Sequence, residues 1–251
     1  QRMPEMVGVE LLRQSKEISP RSVRILLTGY SDLAAIVGSI NDGEVYRFIS
    51  KPWDNTELQT IIAEAVTIAL ELADTKVAEV ALPPKMEAGV LVVDKDEEIF
   101  RVVRELIGDQ CPVVYAPDLD AALEAIQQQE IAVVITDVDS GQDQLSAMLK
   151  ILKQEYAQIQ TIVATKASDS ELVIDLINQA QIFRFLNKPI NVRLLKKHML
   201  AALQRYLTYK QVPKLVDAHR VQAREDVRAS SLGKRILQSI GSLRGKWFGG
   251  G

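Results

Sequence analysis

The sequence predicts an α/β protein built on a parallel sheet with helices on both faces, and three observations lead there. Short apolar runs recur without polar alternation: Val90 to Val93, Ala132 to Thr136, Thr161 to Thr165 and Phe183 to Leu186. Such runs mark strands buried on both faces, the condition of a parallel sheet. Stretches with helical periodicity separate them, the alternation expected of βαβ units. The runs also end in groups able to do chemistry. Asp94 and Asp137 follow two of them, Thr165 ends a third, and Asn187, Lys188 and Pro189 follow the fourth. In open α/β sheets the carboxyl ends of the strands are where ligands collect. Carboxylates, a hydroxyl and an ammonium there suit a divalent cation and a phosphoryl group.

In chain order, Gly8 to Glu17 reads as a helix stopped by Pro20, and Val23 to Thr28 as a buried strand. Asp32 is placed to cap a helix running to about Ile40. Val45 to Ile49 reads as a strand, and Asp54 caps a long helix reaching about Ala78, suited to act as a spacer or dimerisation helix. Residues 81–88, with Pro83 and Pro84 adjacent, form a short linker. Strands then fall near residues 89–94, 112–116, 131–136, 160–165 and 182–186. Helices lie between them, and a last helix covers about 191–209.

The chain repeats itself. Leu27-Thr28-Gly29-Tyr30-Ser31-Asp32 matches Ala164-Thr165-Lys166-Ala167-Ser168-Asp169, Ile40-Asn41 matches Ile177-Asn178, and Tyr46 to Pro52 matches Phe183 to Pro189. Every pair is 137 positions apart without a gap, which indicates two copies of one fold. The same offset carries Asp137 to the position before Gln1, so residues 1–80 correspond to the C-terminal half of the second copy, without its first three strands. The two remaining strands are expected to leave apolar surface and an open edge, unless this half packs on something else.

Composition agrees with a reducing, cytoplasmic setting: 47% hydrophobic residues, one cysteine, and no apolar run of membrane-spanning length. Charge is uneven. Residues 210–251 hold nine Lys and Arg against three Asp and Glu, a net of +6, while residues 1–209 hold 21 against 30, a net of −9.

The segment Arg2 to Leu12 (R-M-P-E-M-V-G-V-E-L-L), then L-L-T-G-Y-S-D, then Y-R-F-I-S-K-P-W closely resembles the second half of a response-regulator receiver domain of bacterial two-component signalling. Residues 89–209 resemble a complete, more divergent receiver. The resemblance covers about four fifths of the chain and rests on the ordered set of motifs. It implies a flavodoxin-like, doubly wound five-stranded parallel sheet, with one partial and one complete copy followed by a helical tail.

By the same resemblance Asp137 is the phosphoacceptor, Thr165 the hydroxyl that contacts the phosphoryl group, and Lys188 the lysine that pairs with it. Thr28 and Lys51 hold the corresponding positions in the first copy, and Phe185 and Phe48 match the switch aromatic. Mg2+ would be held by Asp94, Asp96, Asp137 and Asp139. Lys95 occupies the position of the second family acid, and an ammonium there offers no lone pair and repels the cation, so magnesium binding is expected to be weak or absent. Val138-Asp139-Ser140-Gly141 and Lys166 also depart from the family pattern. The implied partner is a histidine kinase or phosphotransfer protein, with a homodimer through receiver surfaces as a further option. No nucleic-acid partner and no enzymatic activity of its own are implied. The alternative is a pseudo-receiver that signals by docking alone.

Two features stand apart from the receiver motifs. His198 reads as a surface residue of the last helix, and two His with one Cys give no zinc pairing. In residues 210–251, Arg220, Arg224 and Arg228 share a helical face. Leu232, Ile236, Ile240, Leu243 and Trp247 follow helical spacing, with Lys234, Arg235, Arg244 and Lys246 as the charge. Such a basic amphipathic helix can lie on an anionic membrane surface, dock on an acidic partner, or pack on the acidic receivers themselves.

Overall fold

A computed structural model describes residues 5–29, 33–74, 80–138, 143–166, 170–212, 216 and 225–241. The second copy contains β3 (Gly89–Val93), α4 (Glu98–Ile107), β4 (Val113–Ala116), α5 (Leu119–Gln128), β5 (Ile131–Thr136), α6 (Asp143–Glu155), β6 (Gln160–Thr165), α7 (Ser170–Ala180), β7 (Arg184–Asn187) and α8 (Val192–Gln211). Its strands form one parallel sheet in the order β4-β3-β5-β6-β7. This is the flavodoxin-like doubly wound order.

The unbroken apolar runs follow from this placement. Along β3, Val90 and Val92 pack with Val103, Leu195 and Tyr206 beneath α4 and α8, while Leu91 and Val93 pack with Ile126, Leu149 and Leu176 beneath α5, α6 and α7. Both faces of each central strand are dry, so no position calls for a polar residue. Asp118 and Asn191 cap α5 and α8 by accepting the N–H groups of Ala121 and Leu194.

The first copy supplies α1 (Gly8–Ile18), β1 (Ile25–Thr28), α2 (Leu33–Asn41), β2 (Arg47–Ser50) and α3 (Asn55–Asp74). Asp54 accepts from Glu57 N–H at 2.8 Å, the expected cap of α3. β1 and β2 form a two-stranded parallel sheet, and Leu27, Ile62, Val66 and Leu70 stay exposed. The expected apolar surface is therefore present on this side. Asp32 and residues 75–79 lie outside the described residues.

The opposite side of the first copy is covered by the second copy. Ile36, Ile40 and Phe48 join the same apolar cluster as Val173, Ile177 and Phe185. Helix α2 lies against the edge strand β7, and α7 lies against β2. The backbone groups on those edges need partners. Asn41 provides them for β7, its Nδ2 donating to Phe185 O at 2.7 Å and its Oδ1 accepting from Phe185 N–H at 3.0 Å. Asn178 does the same for β2, with Nδ2 to Phe48 O and Phe48 N–H to Oδ1 both at 2.8 Å. Both asparagines and both phenylalanines are 137 positions apart, so the interface is a two-fold clasp within one chain.

The tail forms α9 (Glu225–Ala229) and α10 (Ser231–Ile240). Of the options open to the basic helix, packing on the rest of the chain holds for the described part, because Ile236 and Ile240 are fully buried in the cluster beneath α5 and α6. Tyr156 Oη donates to Ile240 O at 2.5 Å, Arg228 pairs with Glu155 at 2.9 Å, and Arg235 pairs with Asp120. The acidic receiver is the partner that the basic helix finds. Ser230 caps α10 on Gly233 N–H, and a side chain at Gly233 would overlap the Val227 carbonyl oxygen, so the turn into α10 needs glycine. Arg220, Arg224, Leu243, Arg244, Lys246 and Trp247 lie outside the described residues, and no described helix is long and apolar enough to cross a membrane.

Candidate functional site

The strand ends of the second copy bring three of the anticipated residues together. Asp94 follows β3 and Asp137 follows β5, and the two strands are neighbours in register, Val93 opposite Thr136. Lys188 follows β7 and reaches across β6. Its Nζ lies 2.6 Å from Asp94 Oδ2 and 2.6 Å from Asp137 Oδ2. The two carboxylates hold the Lys188 pKa above its ordinary value, outweighing partial burial. The backbone fixes the frame. Asp137 N–H donates to Val93 O, Asp94 N–H to Ala116 O, and Lys188 N–H to Thr165 O.

Thr165 is buried at the end of β6, its Oγ1 donating to Val138 O at 3.0 Å. That bond ties the segment after Asp137 to the neighbouring strand. Asp137 is half-buried, and its Oδ1 has no hydrogen-bond partner among the described residues. A buried carboxylate oxygen without a donor is costly, and it is the open valence of this site.

Receiver domains generally bind Mg2+, but the described residues do not fit that ion as arranged. Asp94 Oδ1 accepts from Asp96 N–H at 3.0 Å and its Oδ2 is held by Lys188, which also holds Asp137 Oδ2. Asp96 turns away, its Oδ1 accepting from Glu98 N–H at 3.0 Å. Among the described residues no three His, Cys, Asp or Glu side chains come together. Lys95 is exposed, so the cation that occupies the carboxylates is Lys188. Asp139 lies outside the described residues.

In the first copy Thr28 ends β1 opposite Ser50, and exposed Lys51 follows, repeating the register of Thr165, Asn187 and Lys188. The Thr28 side chain lies outside the described residues. Phe48 and Phe185, the two positions matched to the switch aromatic, are buried at the clasp. His198 corrects the expectation of a surface residue. It is 4% exposed, and burial together with Arg184 and Lys197 pushes its pKa down to about 4. α8 turns this position towards the sheet, and the equivalent of His198 in the first copy is the buried Ile61.

The asparagines of the clasp carried a signal that sequence reasoning did not use. Asn is a poor helix former, yet it stands in the last turn of the corresponding helix at the same repeat position in both copies. A charged cluster beside the clasp was also missed. Glu44 takes Arg184 at 2.5 Å, Lys16 at 3.0 Å and Arg24 at 3.8 Å. Burial alone would raise the Glu44 pKa, but Arg205, Arg184 and Lys16 outweigh it and hold the carboxyl at about 2.

A family model described as the response regulator receiver domain matches residues 90–200. Curated relatives are similar over shorter stretches. The hydrogenase transcriptional regulatory protein HoxA of Bradyrhizobium diazoefficiens is 35% identical over 80 residues, 32% of this chain and 16% of that protein. The DNA-binding transcriptional regulator NtrC of Salmonella typhimurium is 30% identical over 105 residues, 42% of this chain and 22% of that protein. The transcriptional regulatory protein FixJ of Rhizobium meliloti is 39% identical over 70 residues, 28% of this chain and 32% of that protein. The chain thus spans less than a third of each of these relatives. Among solved structures, the signal receiver domain of an HD domain-containing protein from Pseudomonas fluorescens Pf-5 is 25% identical with a TM-score of 0.45, covering 49% of this chain and 98% of that one. The family match, the 2-1-3-4-5 sheet order and the acidic strand ends bridged by a lysine agree, and residues 90–200 belong to the response regulator receiver family of two-component signalling.

Proposed function

We propose that the chain is a cytoplasmic two-component response regulator with tandem receivers, taking a phosphoryl group on Asp137 from a histidine kinase or phosphotransfer protein. The observation that carries this reading is Lys188 Nζ between Asp94 and Asp137 with Asp137 Oδ1 unpartnered. Asp137 Oδ1 attacks phosphorus and forms the acyl phosphate. The bond from phosphorus to the donor imidazole nitrogen breaks, and its electron pair stays on that nitrogen. Lys188 holds the other carboxylate oxygen and offsets charge on the phosphoryl oxygens, and Thr165, at the adjacent strand end, would exchange its bond to Val138 O for one of them. The signal then passes through protein contacts rather than nucleic acid. Phe185 is the residue at which it would reach the clasp, because Asn41 of the first copy grips its backbone.

A second reading has its own observation. Lys188 cross-links the two carboxylates without a third acid beside them among the described residues, as suits a pseudo-receiver that docks without phosphorylation. Incubation of the full chain with acetyl phosphate, read by intact mass, separates the two. One phosphoryl adduct that is absent from Asp137→Asn supports the switch. An unmodified chain at saturating donor, with the tail and clasp intact by amide exchange, selects the adaptor.

A further inference from the structure

At the opposite edge of the sheets from Asp137, where β1, β2, β6 and β7 begin, the two copies enclose a cavity of about 590 Å³. This size is ordinary for a site that takes a small organic molecule, and the junction of two folds is a usual place for one. Its charge is not ordinary. Arg24, Lys153, Arg184 and Arg205 line it together with one carboxylate, Glu44. Glu44 is already shared among Lys16, Arg24 and Arg184. Neither Lys153 nor Arg205 forms a direct ion pair with a described carboxylate, although Glu44 acts on Arg205 from beyond pairing distance. Lys153 is 7% exposed and its Nζ donates to Ala157 O at 2.8 Å, which uses one of three N–H groups. Arg205 donates to Tyr209 Oη at 3.0 and 3.2 Å and lies over the Phe183 ring at 5.2 Å.

The repeat shows how this excess of cations arises. Lys153 is the equivalent of Lys16, and Gln181 is the equivalent of Glu44. Both residues 44 and 181 have positive φ, 48° and 43°, so they occupy the same backbone turn. In the first copy the lysine has its carboxylate. In the second the carboxylate is an amide, the lysine remains, and Arg205 is added where the first copy has Ile68. Buried cations are normally paired, and a counter-ion missing from the protein has to come from a ligand. Tyr46, Phe183 and Tyr209 add aromatic wall.

We propose that this cavity is a binding site for a phosphorylated aromatic metabolite of nucleotide size, with Lys153, Arg184 and Arg205 holding the phosphate groups between the two receiver folds. Arginine forks and a lysine suit phosphate oxygens, and the aromatic rings suit a planar base. A ligand there would touch both copies at once and so bear on the clasp from the side remote from Asp137. Burial together with Arg205 and Arg47 brings the Lys153 pKa down to about 7, so an anion that recharges it should bind more tightly at pH 6 than at pH 8.

The test is calorimetric titration of the full chain with magnesium-free ATP, pyrophosphate and adenosine. One ATP site is expected, with weaker pyrophosphate binding and no adenosine binding. Arg205→Met and Gln181→Glu should each weaken ATP at least tenfold, the second by restoring the carboxylate that the first copy has. Asp137→Asn, at the other end of the strands, should bind ATP as the parent does. As a fold control, both cavity variants should melt at or above the parent temperature without ligand, since each reduces the surplus of buried cations over carboxylates. The proposal is overturned by ATP affinity unchanged in both cavity variants, by no binding of ATP or pyrophosphate at millimolar concentration, or by lower melting temperatures in both variants, which would make the cations structural. Pyrophosphate binding without ATP binding would overturn the nucleotide-sized ligand.

Discussion

Positions 41 and 178 are both Asn and do the same thing in the two copies, whereas positions 44 and 181 are Glu and Gln and do different things. Each asparagine satisfies the N–H and C=O of one phenylalanine on the other copy's last strand. Those backbone groups are present whatever the side chains, so the clasp persists as the two copies diverge. The charged positions depend on side chains alone and have drifted apart. Glu44 pairs with three cations and acts on Arg205 from further off, while its counterpart Gln181 offers Lys153 no carboxylate.

The largest effect is expected from removing the charge that distinguishes the copies. Glu44→Gln leaves Arg184, Lys16 and Arg24 without their carboxylate and should cost about 3 kcal/mol in urea unfolding at neutral pH. The folded pKa of Glu44 lies below its unfolded value, so this contribution is full above about 4.5 and is lost as pH falls through about 2. Unfolding curves of parent and variant should therefore converge towards pH 2. A gap that persists there would mean Glu44 acts by packing.

Breaking the shared feature comes next. Asn41→Leu strands the Phe185 backbone and Asn178→Leu strands the Phe48 backbone, each leaving a donor and an acceptor without partners at a cost of about 2–3 kcal/mol. Matching losses, with faster amide exchange at Phe185 in the first variant and at Phe48 in the second, are the signature of the clasp. A loss from one asparagine only would show that the pseudo-symmetry is energetically one-sided.

A smaller effect comes from transplanting the first copy's residue. His198→Ile copies Ile61 and removes a buried Nδ1 without a partner among the described residues, for a gain of about 1 kcal/mol at pH 7. In the parent the folded His pKa is depressed to about 4, so the unfolded chain takes up the proton first as pH falls below 6.5. Stability then declines from pH 6.5 towards 4, by on the order of 2–3 kcal/mol. Thermal melts of His198→Ile should lack the decline across that window. The smallest effect belongs to Arg235→Gln, an exposed pair with Asp120, at under about 0.5 kcal/mol. By contrast Ile236→Ala should release α10 in amide exchange, because burial rather than charge holds it.

Much of the fold was legible because strands buried on both faces must be written in Val, Ile and Leu, and the runs at 90–93, 131–136 and 160–165 have no other use. Asp94, Asp137, Thr165 and Lys188 were legible because strand ends of one parallel sheet share an edge. His198 misled because Lys196 and Lys197 beside it suggested solvent, whereas one residue further along α8 turns the side chain to the sheet. The tail's partner stayed open among several options, because an amphipathic stripe states that a face will be covered without stating by what.

The sequence by itself determined the internal repeat, the succession of strands and helices along the chain and the residues that gather at one edge of the sheet, since these follow from local periodicity and from identity at a fixed spacing. The tertiary structure decided which surfaces meet: α2 on β7, α7 on β2, α10 on α5 and α6, and a cationic cavity between the copies. Those outcomes depend on edge backbone groups and charges brought together across the chain, up to 144 residues apart for Asn41 and Phe185. Their energies are set by desolvation at the point of contact, which no local pattern in the chain encodes.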